Sequence, residues 1–134
     1  MKFSMSVGDE LLRAIDLVQV DRPAGLEEIG RIARAGDKSA LLCLGLYLSE
    51  DPQTNDEAVP WLTSAAGFGS ADAAWNLAMI ARERHDVSSM RHWIDMAADL
   101  GEEDAIEARS RGYDLSSVLE RYRAGEPDQR AKLR

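Results

Sequence analysis

The sequence contains the same pattern twice, and this repetition restricts the fold more than any other feature. The stretch WLTSAAGFGSADAA begins at Trp61, and a related stretch, WIDMAADLGEEDAI, begins at Trp93. A shift of 32 residues places one tryptophan on the other. In both copies paired alanines and a glycine follow. Self-similarity at this period predicts a stacked array of helices.

A weaker copy precedes these two. Ile29 takes the position of Trp61, and Gly36 takes that of Gly69 after a one-residue gap. The large side chain and the alanines lie at i, i+4 and i+5, which is one face of a helix. Each glycine then stands where a left-handed residue would end that helix. We expect about three degenerate repeats over residues 24–113.

A new helical pattern follows each glycine. Two of these helices have apolar stripes at helical spacing, formed by Ala40, Leu44, Gly45 and Leu48 and by Ala73, Leu77, Ala78 and Ala81. Ser70 and Asp86 are well placed to cap helix starts. Pro60 is expected within the first turn of a helix that starts near Asp56, where a missing amide costs little. Each unit is thus predicted to be two antiparallel helices, and one such pair must stack on others to bury its apolar face.

The segments on either side of the repeats are expected to cap the array. Residues 8–20 predict an N-terminal helix, and residues 114–125 predict a C-terminal capping helix with Asp114 at its start and Gly125 at its end. The remaining segment, 126–134, is polar and basic, and we expect a flexible tail. The sequence therefore predicts a single all-α domain over residues 1–134.

This pattern resembles the Sel-one-like repeat family, a relative of the tetratricopeptide repeats. The first helix of the family unit is matched by Ala40, Leu44 and Gly45. The second helix is matched by Ala58, Trp61, Ala65, Ala66, Gly69 and Ala73, and in the next copy by Trp93, Ala97, Ala98, Gly101 and Ala105. The resemblance covers roughly residues 26–113. It implies a short right-handed α-solenoid of stacked antiparallel helix pairs, and an adaptor that binds other proteins without catalysis.

Several positions depart from the family pattern. Its glycine-rich loop is replaced by SEDPQTND and by RERHD, while Ala78 and Ser110 stand where glycine is usual. Arg109 replaces the leucine, and Tyr47 lies one place early for the aromatic residue. We expect these changes to affect the curvature of the solenoid more than the fold.

The chain is acidic, with a formal net charge of -8 from 16 basic and 24 acidic residues. The segment 121–134 has five basic and two acidic residues, which leaves -11 on the preceding part. An acidic body repels phosphate backbones, so nucleic-acid binding is not expected, whereas a basic protein surface would be attracted. Solubility alone is the alternative explanation of the charge.

Cysteine usage and hydropathy indicate a cytoplasmic protein. Cys43 is the single cysteine, so no intramolecular disulfide forms, and we expect a buried, unreactive thiol. The N-terminus has no apolar core typical of a secretory signal. The longest uncharged apolar run, ALLCLGLYLS, is too short to span a bilayer, so no membrane partner is expected.

Few residues indicate chemistry. His85 and His92 lie seven apart with Asp86 between them, and an enzyme or metal-binding domain built on these histidines is one alternative. Surface histidines are the preferred interpretation, because no cysteine is nearby to complete a metal site. We therefore expect no enzyme activity, no cofactor and no bound metal.

A partner-binding face is predicted on the first helix of each pair, which tends to line the concave groove of such arrays. The positions outside the predicted apolar stripes are Trp75, Asn76, Met79 and Arg82, with Leu42 and Leu46 in the preceding unit. Aromatic side chains, Met and Arg are concentrated at protein interfaces. Alternatively, Trp75 and Leu42 pack between units as ordinary core.

The predicted function is therefore that of a non-catalytic protein–protein interaction module, a small adaptor that holds a partner protein in its concave groove. An inhibitor or immunity-type protein, whose acidic surface masks a basic effector, is the alternative. Self-association through the ends of the array is also open.

Overall fold

A computed structural model describes residues 5–124, and this part of the chain consists of helices and short connections, with no strand. The eight helices are α1 (Val7–Val20), α2 (Arg22–Arg34), α3 (Lys38–Ser49), α4 (Asn55–Gly67), α5 (Ala71–Glu83), α6 (Val87–Asp99), α7 (Glu103–Ser110) and α8 (Ser116–Arg123). The expectation of an all-α fold is confirmed for these residues.

Each helix packs mainly against the helices that precede and follow it in the chain. Connections of one to five residues join the helices, and from α1 to α7 each helix packs back along its predecessor. The connections consequently alternate between two edges of the molecule. Among the described residues, α3 and α5 also pack against each other, which brings the first helices of two predicted repeats side by side.

The connection from α4 to α5 shows how the three-residue joints are made. Gly69 has a left-handed backbone, with φ of 95°, and its N–H donates to the carbonyl of Ala66 at 2.9 Å. The backbone N–H of Ser70 donates to the carbonyl of Ala65 at 3.1 Å. The hydroxyl of Ser70 accepts from the N–H of Ala73 at 3.1 Å. The same residue therefore closes α4 and opens α5.

This joint recurs at three further connections between helices. Its left-handed residues there are Gly36, His85 and Gly101, and the capping residues that follow them are Asp37, Asp86 and Glu102. The predicted glycine stops and the predicted caps at Ser70 and Asp86 are confirmed. His85, with φ of 57°, was not predicted to take this role. The other joints have glycine at this position, and a histidine in the sequence does not indicate a left-handed backbone.

The core runs through all eight helices and consists largely of small and branched apolar side chains. Both predicted stripes are buried, from Ala40 to Leu48 on α3 and from Ala73 to Ala81 on α5. Trp61 and Trp93 are half-buried and pack against this core. Small residues at the helix contacts allow close approach of the backbones, which strengthens dispersion contacts along the array.

Close approach is most evident in the first two helical hairpins. A methyl group at Gly25 of α2 would lie 2.5 Å from the backbone nitrogen of Val18 on α1. A methyl group at Gly45 of α3 would lie 2.8 Å from Cδ2 of Leu62 on α4. At Gly25 the clash is with backbone, so only glycine fits there, whereas a methyl group at Gly45 would require the Leu62 side chain to shift.

Pro60 does not lie where the sequence analysis expected it. The helix α4 begins at Asn55, so Pro60 is its sixth residue and falls in the second turn. The missing amide therefore leaves the carbonyl of Asp56 without its helical partner. Both residues are exposed, and water satisfies such a carbonyl at the surface.

The helices at the two ends of the array lie within or close to the predicted capping segments. The helix α1 takes up residues 7–20, and α8 takes up residues 116–123. Asp114 accepts the N–H of Ser116 at 2.9 Å, but the capping position of α8 is Leu115, one residue later than predicted. Gly125 and the predicted tail 126–134 lie outside the described residues. Within residues 5–124, no helix is both long and apolar enough to cross a membrane.

Replacing Gly69 and Gly67 by alanine tests the joint. Gly69→Ala places a side chain at a φ of 95°, and should lower the free energy of unfolding by about 1–2 kcal/mol. Gly67→Ala, two residues earlier within α4, should raise it by about 0.5 kcal/mol, because alanine favours a helix and open space surrounds that position. Urea unfolding measures both values. Equal effects of the two substitutions on the free energy of unfolding would contradict the role assigned to Gly69 in the joint.

The left-handed residue at the α5–α6 joint gives a second prediction. His85→Gly should raise the free energy of unfolding by about 0.5–1 kcal/mol, because glycine relieves the positive φ. The same replacement at His92, which is exposed within α6, should lower it by about 0.3–0.5 kcal/mol through lost helix propensity. Thermal unfolding followed by circular dichroism separates the two signs. A destabilised His85→Gly variant would argue against this account of the joint.

Candidate functional site: the Arg82 cleft

Trp75 was predicted as a partner contact, and the structure places it in the core. Its side chain is only 5% exposed, so the prediction that it lies on an accessible arc is wrong. The cause is the crowding of α5, on which α3, α4 and α6 all pack. A helix with neighbours on three sides buries more than one stripe, and seven of its residues are buried.

The other predicted contacts differ in how much surface they offer. Met79, Leu42 and Leu46 are half-buried and pack against the core, so part of each remains accessible. Asn76 is also half-buried, and its side-chain amide donates to the carbonyl of Asp72 at 2.8 Å. Arg82 is exposed in the last turn of α5. Because α3 and α5 pack together, these five positions lie on two adjacent helices.

Arg82 lines an open cleft of about 490 Å³ near the C-terminal end of the array. One side of this Arg82 cleft is formed by Arg82 and Met90, and the other by Tyr113, Asp114, Leu115, Ser116, Leu119, Glu120 and Arg123. It therefore lies between the α5–α6 hairpin and α8. A volume of this size is typical of sites that take a small molecule or the side chains of a peptide.

Apolar groups line the cleft between charged ones. Leu115 is buried, and Met90 and Leu119 are half-buried. Arg82 and Arg123 are both exposed, and within residues 5–124 neither forms an ion pair. A partner could thus bury apolar surface and engage unpaired guanidinium groups together, which is the composition of interface hot spots.

Tyr113 is held rigidly in the wall of the cleft. Tyr113 has a left-handed backbone with φ of 69°, and so does the preceding Gly112, with φ of 68°. The phenol donates to Oδ1 of Asp95 on α6 at 2.7 Å, and the guanidinium of Arg91 lies 5.2 Å from the ring centroid. The bond to Asp95 raises the pKa of Tyr113, so the phenol stays neutral. A positive φ at a bulky residue costs free energy, and such strain is concentrated at functional sites.

Asp114 contributes a fixed negative charge to the same wall. Hydrogen bonds from Ser116 lower the pKa of its carboxyl group, and the backbone N–H of Ser116 lies 2.9 Å from Oδ1. The neighbouring carboxylate of Glu120 is exposed. The cleft therefore presents two guanidinium and two carboxylate groups around its apolar floor.

His85 and His92 are not brought into a metal site. Both are exposed, and the ring of His92 lies edge-on to that of Trp93 with centroids 4.8 Å apart. In the part of the chain that the structure describes, no group of three His, Cys, Asp or Glu side chains is placed to hold a metal ion.

Sequence reasoning identified Arg82 and missed the other residues of the cleft. One signal was present, because Asp114 occupies the position of Arg82 in the next repeat at a shift of 32 residues. In comparisons with known proteins, no family model, no curated protein and no solved structure matches this chain.

Cys43 is predicted to react slowly with alkylating reagents. Burial, with a smaller contribution from the charge of Glu50, raises the pKa of its thiol to about 11. About one thiol in a thousand is then ionised near pH 8, and only the thiolate reacts. Alkylation by iodoacetamide should be about a hundredfold slower than in the urea-unfolded chain, and should rise about tenfold per pH unit below the pKa. Equal alkylation rates in the folded and the urea-unfolded chain would contradict the raised pKa of the Cys43 thiol.

Proposed function

We propose that this chain is a non-catalytic protein–protein interaction module that engages its partner at the Arg82 cleft. In this proposal the helix pairs form a short right-handed α-solenoid of the Sel-one-like type, and the protein works as an adaptor in the cytoplasm. The adjoining accessible positions, Asn76 and Met79 on α5 and Leu42 and Leu46 on α3, extend the contact surface from the cleft along the concave side of the array.

The composition of the Arg82 cleft is the observation that carries this proposal. Half-buried Met90 and Leu119 offer apolar area that costs little entropy to cover, and Arg82 and Arg123 stand unpaired beside them within the described residues. Aromatic, Met and Arg side chains are enriched at interfaces, and Arg is frequent among the residues that dominate binding energy. The rigid wall at Tyr113 limits the conformational entropy that binding would cost.

We favour an adaptor over an inhibitor that masks a basic effector, because much of the acidic excess has a structural role. Acidic side chains cap helices or lie in their first turns, as at Asp9, Glu10, Asp21, Asp37, Asp56, Glu57, Asp72, Asp86, Glu102, Glu103 and Asp104. There they interact favourably with the helix dipole. Since helix starts alternate between the two edges of the array, these charges do not form one continuous acidic face.

Charge reversal at Arg82 tests the proposal. Affinity capture from the native extract identifies a stoichiometric partner, and titration with that purified partner then gives the dissociation constant. Arg82→Glu should weaken binding at least about tenfold, because it places a carboxylate where an interface arginine is expected. The fold should be unaffected, since Arg82 is exposed and unpaired among the described residues.

Arg34→Glu is the matched control for this experiment. Arg34 is also exposed, lies in the last turn of α2 and has no ion pair within residues 5–124, so the change in charge is the same. This variant should bind as the wild type does. Equal binding by the Arg82→Glu variant would refute the Arg82 cleft as the site. A partner lost equally in both variants would instead indicate a long-range charge effect.

A further inference from the structure

We propose that residues 114–123 form a strap that undocks from the array as a unit and opens the Arg82 cleft. The strap contains α8 and forms one wall of the cleft, while Arg82 and Met90 form the facing wall. This inference goes beyond partner binding, because it concerns a motion of the free protein.

Within residues 5–124, the strap is joined to the rest of the array less extensively than any other helix. Of all consecutive helices in this part of the chain, α7 and α8 pack least extensively against each other. Only Leu115 and Val118 of the strap are buried, and Leu119 is half-buried. A helix of eight residues is not stable alone in water, so α8 persists only while these contacts hold it.

Polar contacts supply much of the docking. Arg121 donates to Oδ1 of Asp104 at 2.8 Å and to both carboxylate oxygens of Glu107 at 3.0 and 3.1 Å. Ser117 donates to Glu107 at 2.8 Å, and the phenol of Tyr122 donates to Asp104 at 2.7 Å. The Arg121 side chain is 41% exposed, so salt and water weaken this cluster more than they weaken an apolar core.

The chain before the strap has the features of a hinge. Tyr113 directly precedes the strap, and small torsional changes from its ψ angle onward redirect the segment that follows. Tyr113 itself stays anchored to α6 through Asp95 and Arg91. The strap can therefore pivot on a fixed point while the body of the array keeps its structure.

Amide hydrogen exchange of the free, full-length protein, followed by NMR, tests the strap. The amides of Leu119 and Ala124, which bond to Leu115 and Glu120 at 2.9 Å, report on α8, and those of α5 report on the body. In the wild type, the α8 amides should exchange at least about a hundredfold faster than those of α5, because local opening needs less free energy than unfolding of the whole chain.

Arg121→Gln should accelerate exchange in α8 about five- to tenfold more and leave α5 unchanged, since it removes the charged part of the docking. Raising NaCl from about 0.05 to about 0.5 M should accelerate α8 in the wild type and have little further effect in this variant. Val118→Ala should accelerate α8 in the same selective way through its apolar contact. Because Arg121→Gln and Val118→Ala remove different contacts of α8, either variant tests the undocking if the other folds poorly.

Arg31→Gln is the matched control, because Arg31 also joins two carboxylates, those of Glu10 and Glu28, at the other end of the chain. It should leave exchange in α8 unchanged. Equal exchange rates of the α8 and α5 amides in the wild type would refute the proposed undocking of the strap. Acceleration of both helices together in the Arg121→Gln variant would refute it as well. The measurement needs no partner, so that result would leave the proposed binding function standing.

Discussion

The structure depends on one recurring hydrogen bond, in which the residue that caps a new helix donates its backbone N–H to the end of the previous one. Ser70, Asp86 and Glu102 make this bond to the carbonyls of Ala65, Ala81 and Ala97, at 3.1, 2.9 and 2.9 Å. Because the same three side chains also accept an amide of the next helix, the end of one helix and the start of the next cannot vary independently. The directions of α5, α6 and α7 are thus set by the helices before them.

The joints determine what the rest of the array can do. The helices that these joints do not link, α1 with α2 and α3 with α4, approach so closely that glycine stands between them, at Gly25 and Gly45. The joints also place acidic caps at helix starts on both edges, which explains much of the negative charge without a partner. Between α7 and α8 this joint is absent, because the capping position of α8 is Leu115, whose side chain accepts no amide, and a cleft forms beside the last helix.

Sequence reasoning predicted the local features and failed on those that depend on several helices at once. The roles of Gly69, Ser70 and Asp86 were predicted correctly because the residue type alone indicates them. Glycine favours the end of a helix, and serine and aspartate favour its start. Trp75 was misplaced because periodicity shows which side of a helix is apolar, and not how many neighbours surround it. The Arg82 cleft was missed because its walls come from segments about thirty residues apart in the sequence.

Packing between sequence neighbours also has a kinetic consequence. Since α3 with α5 is the principal contact that skips a helix in the described part of the chain, almost no contact requires a long loop to close before it forms. Proteins with such short-range contacts fold in microseconds to milliseconds, and nucleation can begin at any hairpin and spread in both directions. A nascent chain of this design could add each hairpin to those already stacked before it as the chain emerges from the ribosome, without waiting for its C-terminus.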